Sequence, residues 1–376
     1  MSTLDLVAGF ATMVSAAWYG PPIIPETNGT DEDYHDRYRD VVGEDGAFTP
    51  LGAGEFGEVR LVASVAPLGG VGSAGLFAAK TLDKAYTLRD NVLYKPPDPA
   101  VLRVEVEILR ALGGKRHALR LFEVYEGNRK ICLVTEVCWG GDLTDLRKRL
   151  LPRTMMDSVG VGDAHGHLLP LGIVKEVAAR LLAAVDHCSR HGVVHRDIKP
   201  ANVMLLDPVH GGAGVEDELC ATRLADGIRL IDFGSGCIDA APPGNDPTDT
   251  SYSPPRHSTM AGSAYYRSPE TFRGEKSYTA KTDVWSVGVT VYVFAAGFPQ
   301  GKRMQATFDA MHSRKEERDF ARDLAPAAPE EGTGGAEDGA YPSCFWKDLL
   351  DEALLKHSER ERPYACVVLD ILDGIV

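Results

Sequence analysis

The order of residue patterns predicts an α+β fold in two parts, a small β-rich region followed by a larger, mainly helical one. Three observations carry this. Between residues 44 and 137 most apolar residues fall in short strand-like runs around a single helical pattern. Gly127-Asn128 sits between two of those runs as a hairpin signal. From Gly140 onward the apolar spacing turns helical.

The elements follow in order. Phe48–Leu51, Glu58–Ala63 and Leu76–Lys80 read as strands, with a Gly-rich link from Gly69 to Gly75. Ala100–Leu112 has Val101, Val104, Ile108, Leu109 and Leu112 at helical spacing. Leu119–Glu126 and Lys130–Val137 form the hairpin. Ile173–Arg190 is an amphipathic helix with Val177, Leu181, Ala184 and Val185 along one side. Val284–Ala296 has no polar face and reads as a buried helix, while Trp346–Lys356 and Tyr364–Leu372 close the chain. Segments 152–170, 207–226 and 325–340 read as surface insertions. Residues 1–43 read as an N-terminal extension: Leu6, Phe10, Met13, Val14 and Ala17 at helical spacing, a break at Pro21, Pro22 and Pro25, then acidic residues from Asp31 to Asp40.

Composition narrows the function. Across 376 residues, 44% hydrophobic and 25% charged residues suit a globular chain with a sizeable core. A net charge of −14 argues against the basic face that nucleic acid needs. The 7 cysteines form no C-x-x-C pair, so neither a zinc site nor a disulfide framework is indicated, and a reducing, cytoplasmic or nuclear setting is expected. No apolar run nears the ~18 residues a membrane span requires.

The chemistry-bearing residues come in separate clusters. Leu51-Gly52-Ala53-Gly54-Glu55-Phe56-Gly57-Glu58-Val59 is a G-x-G-x-x-G-x-V run between strand candidates; glycines there let backbone amides close over phosphates. A dinucleotide fingerprint would need a helix directly after the turn, and here a strand follows. Lys80 ends a strand. On the following helix Glu105 shares a face with Ile108, Leu109 and Leu112, whereas Glu107 points elsewhere, so Glu105 is its expected partner. His195-Arg196-Asp197-Ile198-Lys199-Pro200-Ala201-Asn202 gathers a base, two cations and an amide. Asp232-Phe233-Gly234 ends an apolar strand, either as a simple turn or as a metal carboxylate.

In this order, with Ser268-Pro269-Glu270, Asp283 and Arg362, these elements resemble a eukaryotic-type protein kinase over roughly residues 44–376. The resemblance implies a two-lobed protein kinase fold, with an N-lobe at 44–137, a hinge at 136–140 and a C-lobe at 141–376. It implies an ATP-dependent serine/threonine kinase that transfers the γ-phosphoryl of Mg-ATP to protein hydroxyls. Asp197 would take the hydroxyl proton and Lys199 would neutralise the γ-phosphate, with Lys80 and Glu105 as the phosphate-gripping pair. Leu51, Gly52, Ala53, Gly54, Glu55, Phe56, Gly57, Val59, Ala78, Lys80, Glu136, Cys138, Asp142 and Met204 would bind the nucleotide. Asn202 and Asp232 would hold Mg2+. Thr135 falls at the gatekeeper position, and Leu109, Leu121, His195 and Phe233 match the family's apolar column. Glu270 and Arg362 match its buried ion pair.

Lys199 and the run Gly262-Ser263-Ala264-Tyr265-Tyr266 resemble serine/threonine rather than tyrosine kinases, most of all the calcium/calmodulin-dependent and calcium-dependent group. No D-x-[DN]-x-[DN]-G loop occurs, so calcium control would come from another chain. Ala201 and Val293 stand where Arg-selecting members carry acids, and only Asp142 matches such an acid. Arg196 implies control by activation-loop phosphorylation at Thr259, with Ser258 as the neighbouring alternative and Ser263 near Asp197. The expected partners are protein substrates and an upstream activating kinase, and the chain is expected to be monomeric. The rival reading is a pseudokinase scaffold, a class that typically lacks residues matching Lys80, Asp197 or Asp232.

Overall fold

The computed structural model describes residues 23–24, 26–43, 47–54, 57–65, 75–85, 87–89, 92–94, 96–151, 169–208, 224, 227–238, 256–275, 278–299, 349, 354–356 and 358–374. The chain divides into two compact units, residues 1–114 with 119–137, and residues 115–118 with 138–376.

The first unit is built on an antiparallel sheet. After helix α1 (Asp31–Arg37) come strands β1 (Tyr38–Asp40), β2 (Pro50–Gly54), β3 (Gly57–Ser64) and β4 (Leu76–Asp83), a small hairpin of β5 (Thr87–Arg89) and β6 (Val92–Tyr94), then helix α2 (Pro99–Leu112), β7 (Leu121–Glu126) and β8 (Lys130–Thr135). The strand order is β1-β3-β4-β8-β7, with β2 also paired to β3. Side chains two apart on β4 and β8 share a face, which places Phe77, Ala79, Cys132 and Val134, with Val62 of β3, in one cluster with Tyr34, Tyr38 and Tyr125.

Helix α2 starts where Asp98 accepts the Ala100 amide and Pro99 takes the first turn; it ends at Gly113, whose φ of 62° suits a residue without a Cβ. Its buried face is Leu102, Glu105, Val106, Ile108, Leu109 and Leu112. This corrects the apolar face expected from sequence: Val101 is exposed and Val104 only half-buried. Apolar residues sit on several sides of this helix, so spacing alone left its rotation open.

Residues 23–30 are wired to the same unit. The amides of Ile23 and Ile24 donate to Glu126 Oε1 and Oε2, each at 2.7 Å, and Lys84 Nζ lies 2.7 Å from the same carboxylate. Asn28 both donates to Val124 O and accepts from its amide. Ile23 and Ile24 join the core of Leu82, Leu102, Val106, Val124, Ile131 and Leu133.

The second unit comprises helices α3 (Leu143–Leu150), α4 (Leu171–Arg190), α5 (Pro269–Phe272), α6 (Lys281–Ala296) and α7 (Ala365–Gly374). It also holds the short pairs β9 (Val193–Val194) with β12 (Cys237–Ile238) and β10 (Val203–Leu205) with β11 (Ile228–Leu230). Helix α6 is buried from Thr282 to Ala296, as its lack of a polar face predicts. Buried Arg147 on α3 caps its end, donating to Phe294 O at 2.8 Å and Ala295 O at 2.7 Å. The expected N-terminal helix, the link at 69–74 and the segment 325–340 lie outside the described residues, as do most of 152–170, 207–226 and Trp346–Lys356.

Candidate active site

In the first unit, β2 and β3 form the glycine hairpin, with Gly52 opposite Val59 and Gly54 opposite Gly57. A Cβ on Gly57 would stand 1.9 Å from Thr81 O, so packing alone demands glycine there. At Gly52 no heavy atom lies within 4 Å of a Cβ, leaving open space over the backbone. Glu55 and Phe56 fall outside the described residues. Register puts Lys80 opposite Val59 on β3 and Leu133 on β8. Its Nζ lies 2.7 Å from Glu105 Oε1, while Glu107 is exposed, as helical phase predicts. Leu51, Val59 and Ala78 meet Leu61 and Val137 in one apolar cluster. Thr135 is buried and donates to Glu136 O at 3.2 Å; the Glu136 carboxylate accepts the Arg120 amide at 2.8 Å.

In the second unit the turn after β9 is fixed from beneath. Asp283, in the first turn of α6 and 1% exposed, accepts the amides of His195 (2.7 Å) and Arg196 (2.9 Å). Burial pushes its carboxyl pKa up, against the pull of those amides and nearby cations. Asp197 N donates to His195 Nδ1 at 3.2 Å, which leaves Nε2 to donate to Ile231 O at 2.9 Å. The His195 ring lies 4.7 Å from that of Phe233.

This frame aims Asp197. Its Oδ2 accepts Lys199 Nζ at 2.8 Å and Asn202 Nδ2 at 3.2 Å, and its Oδ1 accepts the Ser263 amide at 2.6 Å. Lys199 also donates to Ser263 Oγ at 2.9 Å. Burial works to raise the Asp197 pKa, but its bonds to Lys199 and Ser263 outweigh it and hold the carboxyl below the usual range. Gly262 lets Ser263 approach: its φ is +81°, and a Cβ would stand 1.9 Å from Arg196 O.

Asn202 is 5% exposed and spends its amide nitrogen on Asp197, donating to the backbone O at 2.9 Å as well as to Oδ2. Its amide oxygen is thereby oriented as an acceptor. Asp232 is exposed, with a φ of +62° that turns the chain at the end of β11. Two oxygen donors of this kind fit a hard cation such as magnesium, which fills its remaining positions with phosphate and water. Among the described residues no group of three or more His, Cys, Asp and Glu is arranged to hold a metal by itself.

Arg196 reaches away from Asp197. It donates to Ser235 O (2.6 Å), Gly236 O (2.8 Å) and Thr259 Oγ1 (3.1 Å). Thr259 and Ser258 are both exposed. Asp142 caps α3, accepting the Asp145 amide at 2.9 Å, and bridges to Met204 on β10. Cys138 is half-buried, followed by Trp139 and Gly140 pairing with Leu206 and Leu205. Glu270 and Arg362 form a two-pronged pair at 2.8 and 3.1 Å.

Sequence reasoning passed over two contributors, Tyr278 and Glu359. The Tyr278 hydroxyl donates to Thr259 O at 2.6 Å. Glu359 accepts the Thr279 amide and hydroxyl at 2.6 and 2.7 Å and pairs with Arg256 at 3.0 Å. Ser268 is buried between Thr271 (2.9 Å) and Thr282 (2.8 Å). Neither Tyr278 nor Glu359 stands in a local pattern that would have marked it, whereas Ser268 was read as part of Ser268-Pro269-Glu270.

Comparison with known proteins identifies a family. The protein kinase domain profile matches residues 47–370. Among similar proteins, calcium-dependent protein kinase 7 of Oryza sativa subsp. japonica is 28% identical over 321 residues, 85% of this chain and 46% of that protein. CBL-interacting protein kinase 4 of the same plant is 34% identical over 247 residues (66% and 43%), and CDPK-related kinase 3 of Arabidopsis thaliana 29% over 196 (52% and 26%). The chain thus spans less than half the length of these relatives. With its profile match covering most of its residues, this chain belongs to the protein kinase domain family.

Proposed function

We propose that the chain is an ATP-dependent serine/threonine protein kinase. The observation that carries this is the convergence of Lys199, Asn202 and Ser263 on the carboxylate of Asp197. A carboxylate held ionised, with one cation beside it, suits a hydroxyl that must be aligned first and deprotonated late. In the reaction Asp197 orients the substrate hydroxyl and accepts its proton, while the hydroxyl oxygen bonds the γ-phosphorus and the bond to ADP breaks. Lys199 offsets charge on the transferring group. The Lys80–Glu105 pair and the glycine hairpin hold the phosphates, with Leu51, Val59, Ala78 and Met204 about the adenine and Glu136 and Cys138 reading it. Asn202 and Asp232 would hold magnesium, which neutralises the phosphate charge when bound.

The bond from Lys199 to Ser263 supports serine/threonine over tyrosine substrates. Ala201, Val293 and Phe294 line an apolar hollow that includes Lys199; that wall offers no carboxylate to a substrate arginine. Arg196 contacting Thr259 supports a phosphate switch at that residue. Reduced thiols at every described cysteine and no described helix long and apolar enough to cross a membrane suit a cytoplasmic or nuclear setting. Lys80, Asp197 and Asp232 are all in place, which tells against a scaffold without catalysis.

The test is radiolabelled ATP with generic protein substrates, wild type beside Asp197→Asn. Transfer is expected to fall about 10²–10⁴-fold in the variant. Equal labelling by both proteins would overturn the proposal.

A further inference from the structure

The described cysteines are not alike. Burial pushes the Cys132 thiol up to about 11 and raises those of Cys188 and Cys366 as well. Such thiols are poor nucleophiles. Cys237 differs from those three, and from the half-buried Cys138 it is told apart by its imidazole contact. It is half-buried on β12, and its Sγ lies 3.4 Å from His257 Nδ1 and 3.9 Å from Nε2. Both partners are pinned by backbone: Cys237 faces Val194 on β9, and His257 exchanges two bonds with Tyr278, at 2.8 and 3.0 Å. The His257 ring also packs 5.6 Å from the Tyr278 ring. Cationic charge is close, since the Arg196 guanidinium sits on the carbonyl of the preceding residue, Gly236, at 2.8 Å. A thiol with an imidazole in reach, a guanidinium nearby and access to solvent meets the conditions for an activated sulfur.

We infer that Cys237 and His257 form a peroxide-reactive thiol–imidazole pair, a modification site outside the catalytic machinery. In the step proposed, the thiol proton passes to a His257 ring nitrogen and the sulfur lone pair attacks one oxygen of a hydroperoxide. The S–O bond forms as the O–O bond breaks, and the departing oxygen takes the proton from His257. Sulfur is oxidised to the sulfenic acid and the peroxide is reduced to water or an alcohol.

The position gives this chemistry a consequence. Sulfenic acid formation replaces the 3.4 Å thiol contact to the ring, so we expect His257 to move from its present seat. Ser258 and Thr259 follow it directly, and Thr259 is the residue whose hydroxyl Arg196 contacts. Oxidation at Cys237 therefore loosens the contact on which the proposed phosphate switch depends.

The experiment treats the full chain with hydrogen peroxide in the presence of dimedone, which traps sulfenic acids, and follows each cysteine peptide by mass spectrometry. Cys237 is expected to label at least about tenfold faster than Cys132, Cys188 or Cys366. His257→Phe, which keeps a ring against Tyr278 and removes the base, is expected to slow Cys237 labelling about tenfold. Equal labelling across the cysteines of the wild type overturns the inference without need of any variant. An unchanged rate in a folded His257→Phe protein overturns the role of the imidazole. In a parallel arm, peptide phosphorylation by wild type should fall after peroxide while Cys237→Ser resists. Equal sensitivity of the two proteins would refute the link to Thr259, while the labelling arm reads the sulfur chemistry even if no phosphorylation is seen.

Discussion

Arg362 offers the sharpest test of how the second unit is held together. It is fully buried and donates to Glu270 Oε1 (2.8 Å), Glu270 Oε2 (3.1 Å) and Lys281 O (3.0 Å), and through two nitrogens to Lys356 O (2.8 and 3.1 Å). Arg362→Met removes the cation bonded to a carboxylate that is itself 2% exposed, so it leaves a buried charge without its bonded counter-charge. Breaking a buried pair in this way costs about 3–5 kcal/mol. For a unit of this size that lowers the melting temperature by about 10 °C. Replacing both partners, as Arg362→Met with Glu270→Leu, should recover part of the loss, because an apolar pair needs no counter-charge although Lys281 O and Lys356 O still lose their donor.

Unfolding of the two single variants and the double variant, followed by Trp fluorescence and circular dichroism, closes the cycle. The Arg362 guanidinium lies 5.2 Å over the Trp285 ring, which places a reporter at the site. Acid adds an independent check. Burial favours the protonated Glu270, but attraction to Arg362 and the bonds between them prevail and lower its pKa from 4.5. The pair's contribution is then complete above that unfolded value and is lost as pH falls through the folded one. The gap between wild type and Arg362→Met should narrow over that acidic range. A single variant within about 1 kcal/mol of wild type at neutral pH, or a double variant no better than the single, would refute the reasoning.

Three further outcomes follow from the geometry. Gly262→Ala forces a Cβ onto Arg196 O and displaces the Ser263 amide from Asp197, so turnover should fall about 100-fold, read in a peptide phosphorylation assay. Thr259→Ala should abolish the rise in activity that follows preincubation with ATP; an unchanged time course would remove the switch at that residue. Glu126→Gln replaces a carboxylate that serves two amides and Lys84, and should destabilise the first unit by about 3 kcal/mol in urea unfolding.

The parts of the molecule that were legible in the sequence share a property: short-range constraint. Helical phase alone separated Glu105 from Glu107, and the run from His195 to Asn202 folds on itself so that its own residues bond to one another. Strand and helix identities followed from period, while the caps at Asp98 and Gly113 that bound α2 went unread although they too are local. What else escaped notice depends on partners far along the chain. Glu126 meets Ile23 across 103 positions, and Glu359 meets Thr279 across 80. An isolated acid gives no local sign of such a contact. The same reason explains residues 23–40, read as an extension because an acidic run looks solvated, though Tyr34 and Tyr38 lie in the sheet's core. The rotation of α2 was misjudged because apolar residues flank it on more than one side.

The wiring of those leading residues bears on how the protein is handled. A fragment trimmed to the profile match, 47–370, would strip β1 from β3 and bare a row of amides and carbonyls along that margin. It would also uncover the hollow beneath Ile23 and Ile24 and strand the Glu126 carboxylate facing Lys84 alone. Self-association through such a raw margin is the outcome to plan against. A start upstream of Ile23 keeps the small unit sealed.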